Sequence, residues 1–311
     1  MSVRTAGKPV LPTFIIIGAP RAGTTTLYEH LKRHPEVGMS VVKETNFFAY
    51  EPGMTAPKEV PGWFPVRTLE EYAAQFAHAA GRKAVGEASP IYLSTPGAAA
   101  RIHALLPRVR LVAVLRNPVD RAYSGYVTWL RETNRRLDPR SDLVPGADWA
   151  RPDSHWVKTG HYARLLGEFL KVFDPEQIKI FLYEDLVASP GTVLADLHAF
   201  IGVAPRPVDD LPRHNRGGQP RIPLVNAVLR NHRLRKGLGP LTPPWMERVG
   251  RRIVAANREA PPPLPDAVRA RLREHYRDSV RDLEAMLGRG LGGWLSDGDG
   301  RKPHFRQKWS S

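Results

Sequence analysis

The sequence contains no cysteine. A disulfide framework, a thiolate metal site and a cysteine nucleophile are therefore excluded. It also lacks long apolar runs. Phe14–Ile17 and Leu111–Leu115 are among the longest, far below the roughly 18 residues that a membrane-crossing helix needs. The N-terminus has no apolar stretch of the kind that marks a secretory signal, so the expectation is a soluble, cytoplasmic protein. Acids are in deficit, with 31 Asp and Glu against 46 Lys and Arg, a net charge of +15. Hydrophobic residues at 42% and charged residues at 25% of 311 exclude a disordered chain, a collagen and a coiled coil.

Arginine outnumbers lysine about threefold, and its planar fork of donors matches phosphate and sulfate oxygens. A basic excess fits a nucleic acid, an acidic lipid or a small polyanion. Composition does not choose among them, so position has to.

Phe14–Ile17 reads as a strand buried on both faces. Arg110–Leu115 reads as a second buried strand and Ile178–Tyr183 as a third strand. Helices are expected over Thr24–His34, Leu69–Ala80, Thr95–Leu106, Asn117–Arg131, Tyr162–Val172, Pro190–Ile201 and Leu264–Leu287. This alternation predicts an α/β fold, a P-loop-type parallel sheet flanked by helices in a single domain. The domain is expected over 12–296. Residues 1–11 read as a flexible leader, 132–160 as a lid or acceptor insertion, 205–223 as a mobile basic loop and 297–311 as a tail. In such sheets ligands sit at the carboxyl ends of the strands.

The first strand exit reads Gly18-Ala19-Pro20-Arg21-Ala22-Gly23-Thr24-Thr25. Two glycines between a buried strand and a helix frame a phosphate-binding loop, and the helix start offers free N–H groups to an anion. The motif departs from a nucleotide-hydrolysing loop. Thr24 stands where that loop has lysine, and the cation sits at Arg21. At the second exit, Arg116 stands where an acid that helps to hold Mg²⁺ would be expected. Ser124 lies seven residues past Asn117, two helical turns on and near the same face, so Arg116 and Ser124 are placed to grip one phosphate. Arginines without a metal carboxylate suit an anion handled without a metal.

The loop, together with Leu115-Arg116-Asn117-Pro118-Val119-Asp120-Arg121-Ala122-Tyr123-Ser124, resembles the sulfotransferases that use 3′-phosphoadenosine 5′-phosphosulfate (PAPS). The likeness is to the branch shared by heparan sulfate sulfotransferases and many bacterial enzymes. Lys43-Glu44-Thr45-Asn46-Phe47-Phe48, Glu87-Ala88-Ser89-Pro90-Ile91-Tyr92, Phe181-Leu182-Tyr183-Glu184-Asp185-Leu186 and the stretch Leu283–Trp294 resemble further segments of that branch. The resemblance implies Glu44 as general base, with Arg21 assisting. It implies donor contacts from Arg21, Ala22, Gly23, Thr24, Thr25, Thr26, Arg116, Ser124 and Tyr183, and from Arg216 and Gly217 in a closing loop. It implies PAPS as sulfuryl donor, adenosine 3′,5′-bisphosphate as product and no metal. Lys43, Glu87, His155 and His161 are candidate contacts to the acceptor, a hydroxyl of a glycan, lipid or small molecule. Ala88, Asn46 and Thr128 stand where sugar-modifying members carry lysine or histidine, and the acceptor is left open. Two other readings are a kinase-like P-loop enzyme and a nucleic-acid or membrane-surface binder using residues 211–258. That stretch carries eleven basic residues and one acid, Glu247.

Overall fold

Residues apolar on both faces require a sheet covered on both sides, and the chain builds one. The computed structural model describes residues 9–55, 62–206, 219–220 and 257–296. Five strands, β1 (Phe14–Gly18), β2 (Val37–Met39), β3 (Ala84–Ala88), β4 (Arg110–Leu115) and β5 (Ile178–Leu182), form an all-parallel sheet in the order β2-β3-β1-β4-β5. The chain returns from β1 toward β2 and β3, then crosses to β4 on the other side of β1. The direction of winding reverses there, and such a crevice is where an α/β sheet binds its ligand.

The helices follow from local signals. α1 (Thr24–Lys32) leaves β1. α2 (Leu69–Ala74) opens on a reciprocal capping box between Thr68 and Glu71. It is shorter than the sequence suggests. Phe76 and Ala79 both turn into the core, and the remainder becomes a 3-10 turn over Ala77–Ala79. α3 (Ala98–Leu105) begins later than expected, after Gly97 in a left-handed conformation, because a 3-10 turn takes up Pro90–Ser94. α4 (Pro118–Glu132) is capped by Asn117, whose Oδ1 accepts from the amides of Val119 and Asp120. α5 (Pro139–Asp142), α6 (His155–Lys158), α7 (Tyr162–Leu170), α8 (Tyr183–Ala188), α9 (Pro190–Ile201) and α10 (Asp266–Leu287) complete the described helices.

The segment 132–160 is not a loose flap. Leu137, Ala147, Trp149 and Val157 are buried, and Trp149 stacks on Tyr126 of α4 with ring centroids 5.2 Å apart. Fully buried Arg121 on α4 donates to the carbonyl of Trp156, and Tyr276 on α10 donates to that of Val157 at 2.8 Å. These bonds clamp α6 between two long helices. The leader also ends earlier than expected, because Val10 and Leu11 pack on the core. Within 205–223, Gln219–Pro220 forms β6, a short strand antiparallel to β7 (Arg258–Glu259). The rest of that loop beyond Arg206, and the 297–311 tail, lie outside the described residues. No helix among the described residues is long and apolar enough to cross a membrane.

α1 and α9 are joined by histidines. His198 is wholly buried. Its Nδ1 accepts from the Arg206 amide at 3.4 Å, so its Nε2 carries the proton and donates to His30 Nε2 at 3.2 Å. Burial first, then the nearby His30, His34 and Arg206, push His198 down to about 4. Between pH 6.5 and 4 the unfolded chain takes up a proton that the folded chain refuses. Stability therefore falls as pH drops through that window, by up to roughly 3 kcal/mol from this residue. Urea midpoints measured from pH 7 to 4.5 should decline, and His198→Gln should decline less steeply over the same range.

Candidate active site

The β1–β4 pairing sets Gly18 beside Ala113 and aligns the two strand exits. The loop after β1 is tied back by the Ala19 amide, which donates to Val114 O at 2.8 Å. Arg116 Nη1 then donates to Arg21 O at 3.2 Å, and Arg21 Nε to Ser124 Oγ at 3.2 Å. The expected pair of Arg116 and Ser124 is thus bridged by Arg21. Arg116 also stacks over the Tyr183 ring, with its Cζ 4.8 Å from the centroid. Its carbonyl accepts from Tyr162 OH at 2.9 Å.

Gly23 caps α1 with φ 95°. A Cβ there would come within 3.1 Å of Leu186 and 3.2 Å of Tyr183. Only glycine combines that backbone with so close an approach to α8. No side chain caps α1 and no acid lies in its first turn, so its positive end faces no protein carboxylate from its own turn. Thr24 is buried, while Thr25 and Thr26 are half-buried at the same helix start. Ala22 departs from expectation. Its side chain is in the core and its amide donates to Ala19 O at 3.2 Å, so it is loop framework.

The loop is electrostatically loaded. Burial, followed by Arg131 and Arg116, pulls the Arg21 pKa down, and Glu132 and Glu44 partly offset this. Arg131, with its side chain 16% exposed, did not emerge from the sequence. The signal was its position seven residues beyond Ser124 on the same helix. Three arginines, from the loop after β1, the exit of β4 and α4, thus share one region, and repulsion among like charges is relieved by an anion.

Glu44 reaches this region from the β2 side. Its φ is 65°, a left-handed conformation uncommon outside glycine. Its amide donates to Ala88 O at 2.9 Å, and its half-exposed carboxylate pairs with Lys43 Nζ. The carboxylate is within electrostatic reach of Arg21.

Two acceptor candidates, Glu87 and His161, are placed differently from expectation. Glu87 is wholly buried in β3, where it accepts hydroxyl hydrogen bonds from Thr45 (2.5 Å), Tyr72 (2.6 Å), Ser89 (3.0 Å) and Tyr92 (3.3 Å). With no exposed surface it cannot touch an acceptor. His161 lies 3.1 Å from His275 of α10 and packs on Tyr276. Burial, then His275, Arg164 and Arg121, push it down to about 4. His155 packs edge-on against Trp156. His161 therefore belongs to the packing of the α7 start against α10, while His155 stays exposed on α6. Arg216 and Gly217 fall outside the described residues. No group of three or more His, Asp or Glu disposed to hold a metal occurs among the described residues.

Comparison with known proteins agrees with this geometry. Residues 12–207 match the sulfotransferase family. The chain is 30% identical over 296 residues to heparan sulfate glucosamine 3-O-sulfotransferase 6 of Homo sapiens, covering 92% of this chain and 75% of that protein. It is 26% identical over 211 residues to the bifunctional heparan sulfate N-deacetylase/N-sulfotransferase 4 of Mus musculus, covering 63% of this chain and 23% of that one. Among solved structures, a sulfotransferase from Alicyclobacillus acidocaldarius superimposes with a TM-score of 0.67 at 27% identity, covering 92% of this chain and 100% of the other. An arginine-lined crevice at paired strand exits, on a chain with these relatives, makes this protein an enzyme of the sulfotransferase family.

Proposed function

We propose that the protein moves a sulfuryl group from PAPS to a hydroxyl of an acceptor, with Glu44 as general base. The observation that carries this reading is the bridge from Arg116 through the Arg21 backbone to Ser124, flanked by the uncapped start of α1. PAPS bears about four negative charges. Two anionic ends of one nucleotide suit a site with amides on one side and arginines on the other. The loop amides, Thr24, Thr25, Thr26 and Arg21 would take the 5′-phosphosulfate. Arg116, Ser124 and the Tyr183 ring would take the 3′-phosphate end.

An alcohol is a weak nucleophile at neutral pH. Glu44 accepts its proton as the oxygen attacks sulfur, and the bond from sulfur to the 5′-phosphate oxygen breaks. The acceptor leaves as a sulfate ester and the nucleotide as adenosine 3′,5′-bisphosphate. Arg21 and the α1 amides stabilise the charge that grows on the departing phosphate. A glycan is the first acceptor class to test, because relatives are named for heparan sulfate glucosamine. A kinase-like reading is disfavoured by Arg116 where a Mg²⁺-supporting acid would stand.

Labelled PAPS supplied with heparan sulfate chains and a panel of hydroxyl compounds should yield a product heavier by one sulfate. Failure across the panel with every acceptor class would overturn the reading. Arg116→Ala should weaken adenosine 3′,5′-bisphosphate binding about 10–100-fold in calorimetry, as loss of charged hydrogen bonds predicts. Glu44→Gln should bind that product like the wild type and turn over about 10²–10⁴-fold more slowly. Transfer should persist in excess EDTA, since arginines rather than a metal ion are assigned to the donor's charge.

A further inference from the structure

Glu87 is the deepest carboxylate in the described structure that the chemistry above leaves without a task. Its surroundings have an unusual regularity. Thr45, Tyr72, Ser89 and Tyr92 all donate hydroxyl protons to it, and all five residues are wholly buried. Three of those hydroxyl oxygens in turn accept from three successive backbone amides. The Asn46 amide donates to Ser89 Oγ at 3.2 Å, the Phe47 amide to Thr45 Oγ1 at 3.4 Å and the Phe48 amide to Tyr92 OH at 3.4 Å. One carboxylate therefore sets the direction of three hydroxyls, and the hydroxyls collect the orphan donors that open the 3-10 turn Phe47–Ala49.

These amides immediately follow Glu44. Glu44 and Asn46 are both left-handed, at φ 65° and 52°. Two such non-glycine residues around one threonine cost free energy, and they persist only where the surroundings over-determine them. The Glu44 amide is held by Ala88 O at 2.9 Å, so the segment Glu87–Ser89 grips the chain on both sides of the base.

We propose that Glu87, acting through Thr45, Ser89 and Tyr92, is the positioning residue for the Glu44 carboxylate. The role rests on the reading of Glu44 as the base. Glutamine at 87 cannot replace it. An amide nitrogen would donate toward hydroxyls that already accept from the backbone, stranding a buried O–H. Thr45, Ser89 and Tyr92 are each needed in their donor sense, so removal of one of these hydroxyls frees one identified amide.

The test combines hydrogen exchange of the Asn46, Phe47 and Phe48 amides with turnover, read as labelled sulfate leaving PAPS with heparan sulfate chains or with water alone. Thr45→Val should speed exchange at Phe47 at least tenfold and lower kcat at least tenfold. KM for PAPS and the affinity for adenosine 3′,5′-bisphosphate should stay within twofold. Thr45→Ser keeps the hydroxyl and should recover both protection and turnover. Glu87→Gln should expose all three amides. Should it not fold, Tyr92→Phe reads the same relay at Phe48. A folded Thr45→Val with undiminished kcat would overturn the proposal, as would unchanged exchange at Phe47. Full activity in Glu44→Gln would instead remove the base itself while leaving the amide protection of the network intact, so the two failures are separable.

Discussion

The hydrogen bond from Arg116 to the Arg21 carbonyl is the joint on which the site depends. It exists only because β1 and β4 are parallel neighbours whose exits emerge side by side. Arg21 is left-handed at φ 69°. In that conformation its carbonyl meets Arg116 while its guanidinium reaches Ser124 on α4. The loop thereby joins the strand behind it to the helix beyond β4. The cation that closes this joint also brings positive charge next to positive charge. Burial, Arg131 and Arg116 all act against the charge on Arg21. A protein does not gather three arginines for the stability of the empty fold, because each desolvated cation adds repulsion that an opposite charge would relieve.

The carboxylate side comes from the other half of the sheet. β3 lies between β1 and β2, and the turn after β2 is moored to β3 rather than to β1. In the proposed reaction, anion recognition and proton removal would thus fall to separate pairs of strands, joined through the middle of one sheet. Glu44 keeps its carboxylate half-exposed beside Lys43, where an incoming hydroxyl has access. Arg21 lies in electrostatic reach.

The legibility of these parts in the sequence was uneven, for physical reasons. β1, β4 and β5 are rich in β-branched and large apolar residues; β1 is buried throughout, β4 is buried after Arg110, and β5, at the sheet edge, is buried only at Phe181 and Leu182. β2 and β3 were not legible in the sequence. β2 is only Val37-Gly38-Met39, and β3 is built of small residues around Glu87. Their smallness has a use visible only in three dimensions. A side chain at Gly86 would collide with the Phe14 ring, and one at Gly38 with Ala79. The loop glycines, Arg21, Arg116 and Ser124 could be read because a phosphate loop has a local grammar. Arg131 was passed over, because only its spacing of seven residues beyond Ser124 on α4 hints that it faces the same loop. Likewise, the aromatic residues of the 132–160 stretch looked like a lid in a polar segment. Their partners are Tyr126 and Arg121 on α4, and only the folded chain brings these together.

Glu44 and Glu87 make the same point in one pair of identical side chains. Both lie on neighbouring strand exits, and sequence alone offered both to the substrate. Burial raises the pKa of Glu87 against the opposing pull of four hydroxyl donors, and its oxygens are occupied inside the protein by Thr45, Tyr72, Ser89 and Tyr92. Glu44 has no such shell and keeps lone pairs for an outside proton. A carboxylate fully saturated by four donors is a poor base toward a substrate, because proton uptake would first have to dismantle those bonds. A half-exposed carboxylate on an unconstrained turn would be equally poor, because it would wander from the attacking oxygen. In the proposed reaction the two roles would be complementary: the saturated carboxylate spends its hydrogen bonds on fixing the backbone from which the unsaturated one would act.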